Sequence, residues 1–486
     1  MERKEENKMF EKLLLEREKL QVSVDKLLQR IDNSCFGEKT KAKLREMMEV
    51  ESNCNVGFSF WDCPPLIVEG KGSIVKDVDG KEYIDLLAGI SVSNVGLCNP
   101  EVVEVIKEQA EKLIHYFDLP NLPRISLSQK LVKLTPGNFP KKVLYAVTGS
   151  EAIEVAIRLA RWYTGKQFIL NGYGEYHGIT IGTMGLTGKA GIRRYYYPVL
   201  PAENGIAHFP YPYCYRCPYG QEYPGCNLQC VKFIEYMFEN REYPFRNPHN
   251  SVHTVAGILF SPFIGAGGYI TPPDEFAVEL EKLCRKYEIL LIVDEVQSGL
   301  GRSGKLWAVE HYNVTPDLII TAKSLAGGLP LSAVIGRREI LDSWGPGAHL
   351  GTFAATPLAC AAANKVLEIL TRDGFLKEVS EKGIYFLEGL NDLKKKHPIV
   401  GDVNGKGLFI GVEFVKDRKR KIPAPEEANF IVNRCFEKGV IVERAGFHFN
   451  RFNIIPPLTI SKEQIDKVLR TFDEVFEEAE KKFNIK

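Results

Sequence analysis

Two apolar runs end in residues able to do chemistry. Leu290-Leu291-Ile292-Val293 runs into Asp294-Glu295-Val296-Gln297-Ser298-Gly299, and Asp317-Leu318-Ile319-Ile320-Thr321 runs through Ala322 into Lys323-Ser324 and a Gly327-Gly328 turn. In an open parallel sheet the carboxyl ends of the strands face the ligand crevice, which puts Asp294 where a bound group would meet it. A lysine at such a strand end has little structural purpose. Desolvation disfavours its ammonium form and makes the neutral amine available as a nucleophile. An ordinary surface ion pair would not need strand-end placement of both partners. A third segment, Thr148-Gly149-Ser150-Glu151-Ala152, opens a helix whose Ile153, Ala156, Ile157 and Ala160 share one face. Glycine there lets backbone approach an anion, serine adds a hydroxyl, and the helix N-terminus directs free N–H groups at it. The same residues also read as an ordinary capped helix start.

These residues need elements to hold them. From Gly70 onward short strands and turns alternate: Ser73–Asp77, an Asp79-Gly80 hairpin signal, then Tyr83–Leu86. Beyond Asn99-Pro100, helical patterns alternate with apolar strands at Lys142–Ala146, Gln167–Leu170, Val255–Phe260, Leu290–Val293 and Leu318–Thr321. Apolar strands separated by helices predict an α/β fold with a mostly parallel sheet covered on both faces. An Ala-rich helix over Thr356–Thr371 and strands near Gly407–Phe414 and Val440–Glu443 follow. Near the start, Phe10, Leu13, Leu20, Val24, Leu27 and Ile31 form one helical stripe interrupted at Arg17. Such a stripe predicts an extension that docks on its own or a neighbouring subunit.

Lys and Arg number 63 against 62 Asp and Glu. This balance gives no electrostatic case for a nucleic-acid or anionic-membrane partner. No run of about 18 apolar residues is present, and the charged Met1–Lys8 segment lacks the apolar centre of a signal peptide. Eleven cysteines, an odd number scattered along the chain, point to reduced thiols and a cytoplasmic setting.

The Asp294 and Lys323 motifs together resemble the pyridoxal-phosphate (PLP) enzymes of fold type I, specifically the class III aminotransferases, from about Gly70 to Leu469. The resemblance implies a large domain with a seven-stranded, mostly parallel sheet and a small α+β domain built from both chain ends. Its boundaries would be a helical extension at 1–50, a first part of the small domain at 51–100, the PLP-binding domain at 101–345 and the remainder at 346–486. By the resemblance Lys323 forms the Schiff base with the cofactor and later carries the proton, while Asp294 pairs with the pyridinium nitrogen. Val296 would pack on one ring face, Gln297 would bond the ring hydroxyl, and Gly149 and Ser150 would hold the phosphate. Gly174-Glu175-Tyr176-His177-Gly178 is similar to the family's aromatic-His-Gly turn, making Tyr176 the residue stacked on the opposite ring face and His177 its neighbour. His349-Leu350-Gly351-Thr352-Phe353 resembles a segment whose threonine reaches the phosphate of the other subunit's cofactor. Thr352 would then make a homodimer obligatory.

Three departures concern the substrate. The family's Glu-Pro-x-x-Gly-Glu-Gly-Gly appears as Ser261-Pro262-Phe263-Ile264-Gly265-Ala266-Gly267-Gly268, without either glutamate. Its Arg-Gly-x-Gly segment, whose arginine clamps a substrate carboxylate, appears as Asn404-Gly405-Lys406-Gly407, and an amide cannot replace a bidentate guanidinium. The arginine some members carry after the His-Gly turn is Ile179. Arg124, Arg444 and Arg451 remain as substitutes or as structural residues. The expected reaction is transfer of an amino group between an amine or amino acid and a 2-oxo acid without the usual arginine clamp. Lys112–Tyr116 and Pro330–Gly336 are similar to the branch holding amino-acid racemases and epimerases, which makes racemisation the alternative. A non-catalytic PLP-binding protein is a third reading.

Cys214, Cys217, Cys226 and Cys230 stand at C-x2-C-x8-C-x3-C spacing in a Pro- and aromatic-rich insertion at about 211–232. Four thiolates so spaced suit tetrahedral zinc, and disulfides or free thiols suit the same residues. No metal ligand is assigned to the active site.

Overall fold

A computed structural model describes residues 24–485 apart from 53, 55–56, 189–204, 241, 244 and 247–251. Strands β1 (Ile67–Lys71), β2 (Ile74–Asp77) and β3 (Glu82–Asp85) form the expected meander. The central sheet follows with β4 (Lys141–Ala146), β5 (Phe168–Gly172), β6 (Ile206–Phe209), β7 (Val255–Phe260), β8 (Leu290–Asp294), β9 (Leu318–Thr321) and β10 (Ser332–Arg337). Its order is β4-β10-β9-β8-β7-β5-β6, and only β10 runs antiparallel to its neighbours.

Side-chain alternation explains the apolar runs. Ile292 and Ile320 pack toward the helix Gly149–Thr164, while Leu291, Val293 and Ile319 enter the larger core on the other face. Strands covered on both faces have no solvent side, so every position of β7, β8 and β9 is buried. The ionisable residues come at the carboxyl ends, Asp294 as the last residue of β8 and Lys323 two residues beyond β9.

The remaining strands are β11 (Val400–Lys406), β12 (Phe409–Asp417), β13 (Ile422–Pro423), β14 (Val440–Ile441), β15 (Glu443–Ala445) and β16 (Arg451–Ile454). β14 joins the N-terminal meander by pairing Val440 with Ile84 and Ile441 with Asp85, so the two halves of the chain meet in one sheet. β11, β12, β16 and β15 make an antiparallel sheet, with β13 on β12.

Of the N-terminal stripe, Phe10, Leu13 and Leu20 lie outside the described residues. The helix Val24–Asp32 buries Leu27 and Ile31, and Arg30 fastens it to its own chain by donating to the Phe58, Trp61 and Asp62 carbonyls. Among the described residues no helix is long and apolar enough to cross a membrane.

Candidate active site

A cavity of about 330 Å³ opens at the carboxyl ends of the central strands. Gly149, Ser150, Tyr176, His177, Asp294, Val296, Gln297 and Lys323 all line it. Asp294 is fixed from two sides: Oδ1 accepts from the Val296 N–H at 2.9 Å, and Oδ2 lies 2.7 Å from His177 Nδ1. Burial works against charge on the His177 ring, but hydrogen bonding and attraction from Asp294 and Glu175 outweigh it and push the ring up to about 9.

Lys323 follows β9 in a left-handed conformation, φ +47°, which disfavours a residue with a side chain. A local cost of this kind persists where the surrounding fold requires it, and here the turn delivers the lysine to the cavity. Desolvation pushes its amine down to about 8, against the attraction of Asp294 and Glu443 and with help from Arg302. A neutral amine is therefore within reach near neutral pH.

At the opposite end, the helix Gly149–Thr164 is capped by Thr148, whose hydroxyl accepts from the Glu151 N–H at 3.2 Å. Two glycines make the cradle. A Cβ on Gly149 would lie 3.3 Å from Val296 Cγ1, and one on Gly178, where φ is +122°, would lie 2.1 Å from Ser150 Oγ. Gln297 donates to the Tyr269 hydroxyl and packs against Gly265, where a Cβ would lie 2.0 Å from its Oε1. Tyr176 stands at the cavity mouth, 37% exposed.

Thr352 is not brought into the cavity. It is exposed, its carbonyl 2.6 Å from His115 Nε2, between the exposed apolar side chains of Leu350 and Phe353. The candidate arginines are engaged elsewhere. Arg124 pairs with Asp118 at 2.6 Å, and Arg444 donates to the Pro425 carbonyl. Arg451 is fully buried, pairs with Glu413 at 2.6 Å and donates to the Gly268 carbonyl and the Tyr213 hydroxyl. Asn404 donates to Asp402 and accepts from the Thr271 N–H. Ser261 and Ala266 line the cavity, while Ile179 is exposed.

Sequence reasoning missed the buried groups behind the cavity. Glu175 accepts from the backbone N–H groups of Gly172 and Ser261, each at 2.5 Å. Arg302 donates to the Leu408 and Pro456 carbonyls and to Asn94 Oδ1, joining the segment after β8 to the two smaller sheets. Neither stands on a periodic pattern that would have marked it. In the insertion, Cys214, Cys217, Cys226 and Cys230 are free thiols, and no metal-binding group of three or more ligands occurs among the described residues.

Residues 61–476 match the family model "Aminotransferase class-III". The chain belongs to the class III aminotransferase family. It is 40% identical over 420 residues to a leucine/methionine racemase of Thermococcus litoralis, covering 86% of this chain and 91% of that protein. It is 38% identical to an isoleucine 2-epimerase of Lentilactobacillus buchneri, covering 85% of this chain and 89% of that protein. It is also 38% identical to a 5-aminovalerate aminotransferase of Pseudomonas putida, covering 85% and 94%. Among solved structures, a Bacillus anthracis aminotransferase superposes with a TM-score of 0.80 at 31% identity, covering 91% of this chain and all of that one. A PLP-bound amine transaminase from an uncultivated Pseudomonas species gives 0.79 at 27% identity, covering 88% and 98%. This family enzyme is thus a PLP-dependent protein of fold type I. The cavity fits the cofactor: it holds an amine of lowered basicity, a carboxylate fixed by two donors, and a glycine cradle at a helix N-terminus.

Proposed function

We propose that the enzyme moves an amino group between an amine or amino acid and a 2-oxo acid, binding its substrate without the arginine clamp. The observation that carries this is the meeting of Lys323 and Asp294 in one cavity with the Gly149 helix start. Bound PLP would supply an aldehyde that takes up amino groups and a ring that draws electrons from the carbon losing its proton. Gly149 and Ser150 would hold its phosphate, Val296 and Tyr176 would hold its ring, and Gln297 would bond its hydroxyl. Asp294 would keep the ring nitrogen protonated. The Lys323 amine would bind the cofactor and would carry the proton to and from the substrate carbon. His177 holds Asp294 in place.

The missing clamp has support at each matched position. Asn404 is tied to Asp402, Ile179 is apolar, and Arg451 already has Glu413, Gly268 and Tyr213 as partners. Phe263, Val92 and Leu331 also line the cavity, and they suit an amine or an amino acid with an apolar side chain.

Thr352 acts across a homodimer in this reading, reaching the cofactor of a second copy. Its support is that Thr352 is exposed between the exposed side chains of Leu350 and Phe353, with the Phe353 ring against His115. The odd, scattered cysteines support a cytoplasmic location.

Racemisation is the second reading. It is favoured by the names of two relatives, the leucine/methionine racemase and the isoleucine 2-epimerase. One experiment separates the two. Holo-protein is mixed with a panel of amines and amino acids without an oxo acid, then assayed for pyridoxamine phosphate and for the chirality of the substrate. Stoichiometric pyridoxamine phosphate is the expected result. Inversion of the substrate with the cofactor remaining an aldehyde would overturn the aminotransferase reading.

A further inference from the structure

The ring of His177 lies between two carboxylates, and only one of them belongs to the assigned machinery. Nδ1 faces Asp294 Oδ2 at 2.7 Å, and Nε2 faces Glu175 Oε2 at 3.8 Å. His177 is 2% exposed and Glu175 is fully buried. Nε2 is a buried nitrogen with no other polar partner. Glu175 is also held in place from two strands. Its oxygens accept from Gly172 at the end of β5 and from Ser261 just past β7, which neighbour one another in the sheet. Gly172 must be glycine for this, because a Cβ there would lie 2.9 Å from Glu175 Oε2. A carboxylate is costly to bury without compensation; the two backbone N–H groups offset part of that cost, and a cationic ring beside it would offset more.

A neutral imidazole carries one N–H and can satisfy one carboxylate only. With its proton on Nε2, it would turn a lone pair toward Asp294. With its proton on Nδ1, it would leave Glu175 facing a lone pair. A ring with both protons donates toward both sides.

We infer that Glu175 is a positioning residue: with Asp294 it holds His177 in the doubly protonated form, so that the ring always presents an N–H to Asp294. The inference rests on the reading of Asp294 as the partner of the cofactor's ring nitrogen. Its consequence is that Asp294 cannot turn away from the cavity or meet a histidine lone pair while the enzyme works. The charged groups around the ring are few. Asp294 faces it from the end of β8 and Glu175 from its own turn, and these two carboxylates are the main charges acting on it. Lys323 lies beyond Asp294, and Tyr211 lies beside Glu175 with its hydroxyl donating to the Ser261 and Pro262 carbonyls. Ser261 stands where the family pattern has a glutamate. The carboxylate missing at 261 is matched by one at 175 that touches the backbone of 261.

The test uses cofactor-free protein labelled with 15N-histidine, with H177N assigning the signals. Both ring nitrogens of His177 are expected to show protonated shifts at pH 7. In E175Q the pH at which the ring loses its second proton should fall by about 1–3 units, the range typical of losing a close opposite charge. If E175Q does not fold, E175D keeps the charge one methylene further away and should move the same midpoint by a smaller amount. A neutral ring in the wild type at pH 7, or a midpoint unmoved in the folded variant, overturns the inference. The reading of the cofactor site fails separately, when wild-type protein titrated with PLP shows no binding by absorbance.

Discussion

Lys323→Met should stabilise the cofactor-free protein. The lysine sits where charge is unwelcome: its amine is pushed from an ordinary 10.5 down to about 8, chiefly by burial. The unfolded chain keeps the ordinary value. At pH 7 both forms are charged, so the fold bears the full penalty of about 2.5 pH units, which at 1.36 kcal/mol per unit is about 3 kcal/mol as an upper bound. Between pH 8 and 10.5 the unfolded chain binds more protons than the native one, so stability rises with pH and the penalty fades. By pH 10 it is below about 1 kcal/mol. Methionine keeps the length and flexibility of the side chain without charge, and neither residue relieves the left-handed backbone at 323. The assay is urea denaturation of both proteins at pH 7 and pH 10. The variant should be more stable by up to about 3 kcal/mol at pH 7, with most of the difference gone at pH 10. A variant less stable than wild type at pH 7, or a difference that does not change with pH, would refute the placement of a desolvated amine at 323.

His177 should produce the opposite slope. Its folded value is raised to about 9, so its contribution to stability is complete below about 6.5 and is lost as pH rises through about 9. H177N should flatten that part of the stability profile measured by thermal melting, and an unchanged profile would contradict it. Arg451→Met removes one of the two guanidinium groups that pair with buried Glu413, Arg216 being the other, so it should cost less than the about 3–5 kcal/mol of a carboxylate left wholly unpaired, and E413Q added to it should recover part of the loss in denaturant titrations. Unchanged stability together with a raised KM for carboxylate substrates would instead make Arg451 a substrate ligand. Gly178→Ala brings a Cβ onto Ser150 at a positive φ and should lower both Tm and the affinity for PLP. Wild-type affinity in that variant would show the cradle to be looser than its geometry.

The parts of the site that could be read from sequence were those where a change of pattern marks a change of role. Asp294 and Lys323 stand out because they interrupt apolar strands that are buried on both faces. The strands Val255–Phe260 and Leu318–Thr321 have the same bounds in the structure, since nothing but burial dictates them. β6, Ile206–Phe209, is only partly buried and holds His208, so it does not read as an apolar run. β10 reads as an apolar run, but its place between β4 and β9, antiparallel to both, is a long-range pairing that no local signal specifies. Glu175 and Arg302 were invisible for a related reason. Each is a charged residue in an irregular segment, where the usual inference is solvent, and its burial depends on acceptors and donors contributed by distant strands. The role of Thr352 rests on its motif, because its position in one chain is a surface turn.

The central claim is that Lys323 is the residue that binds the cofactor covalently. Protein loaded with PLP can be reduced with borohydride, digested and sequenced by mass spectrometry. The account predicts a phosphopyridoxyl group on Lys323 and loss of that label in Lys323→Ala. A label on another lysine, or bound PLP that leaves Lys323 unmodified after reduction, would contradict it.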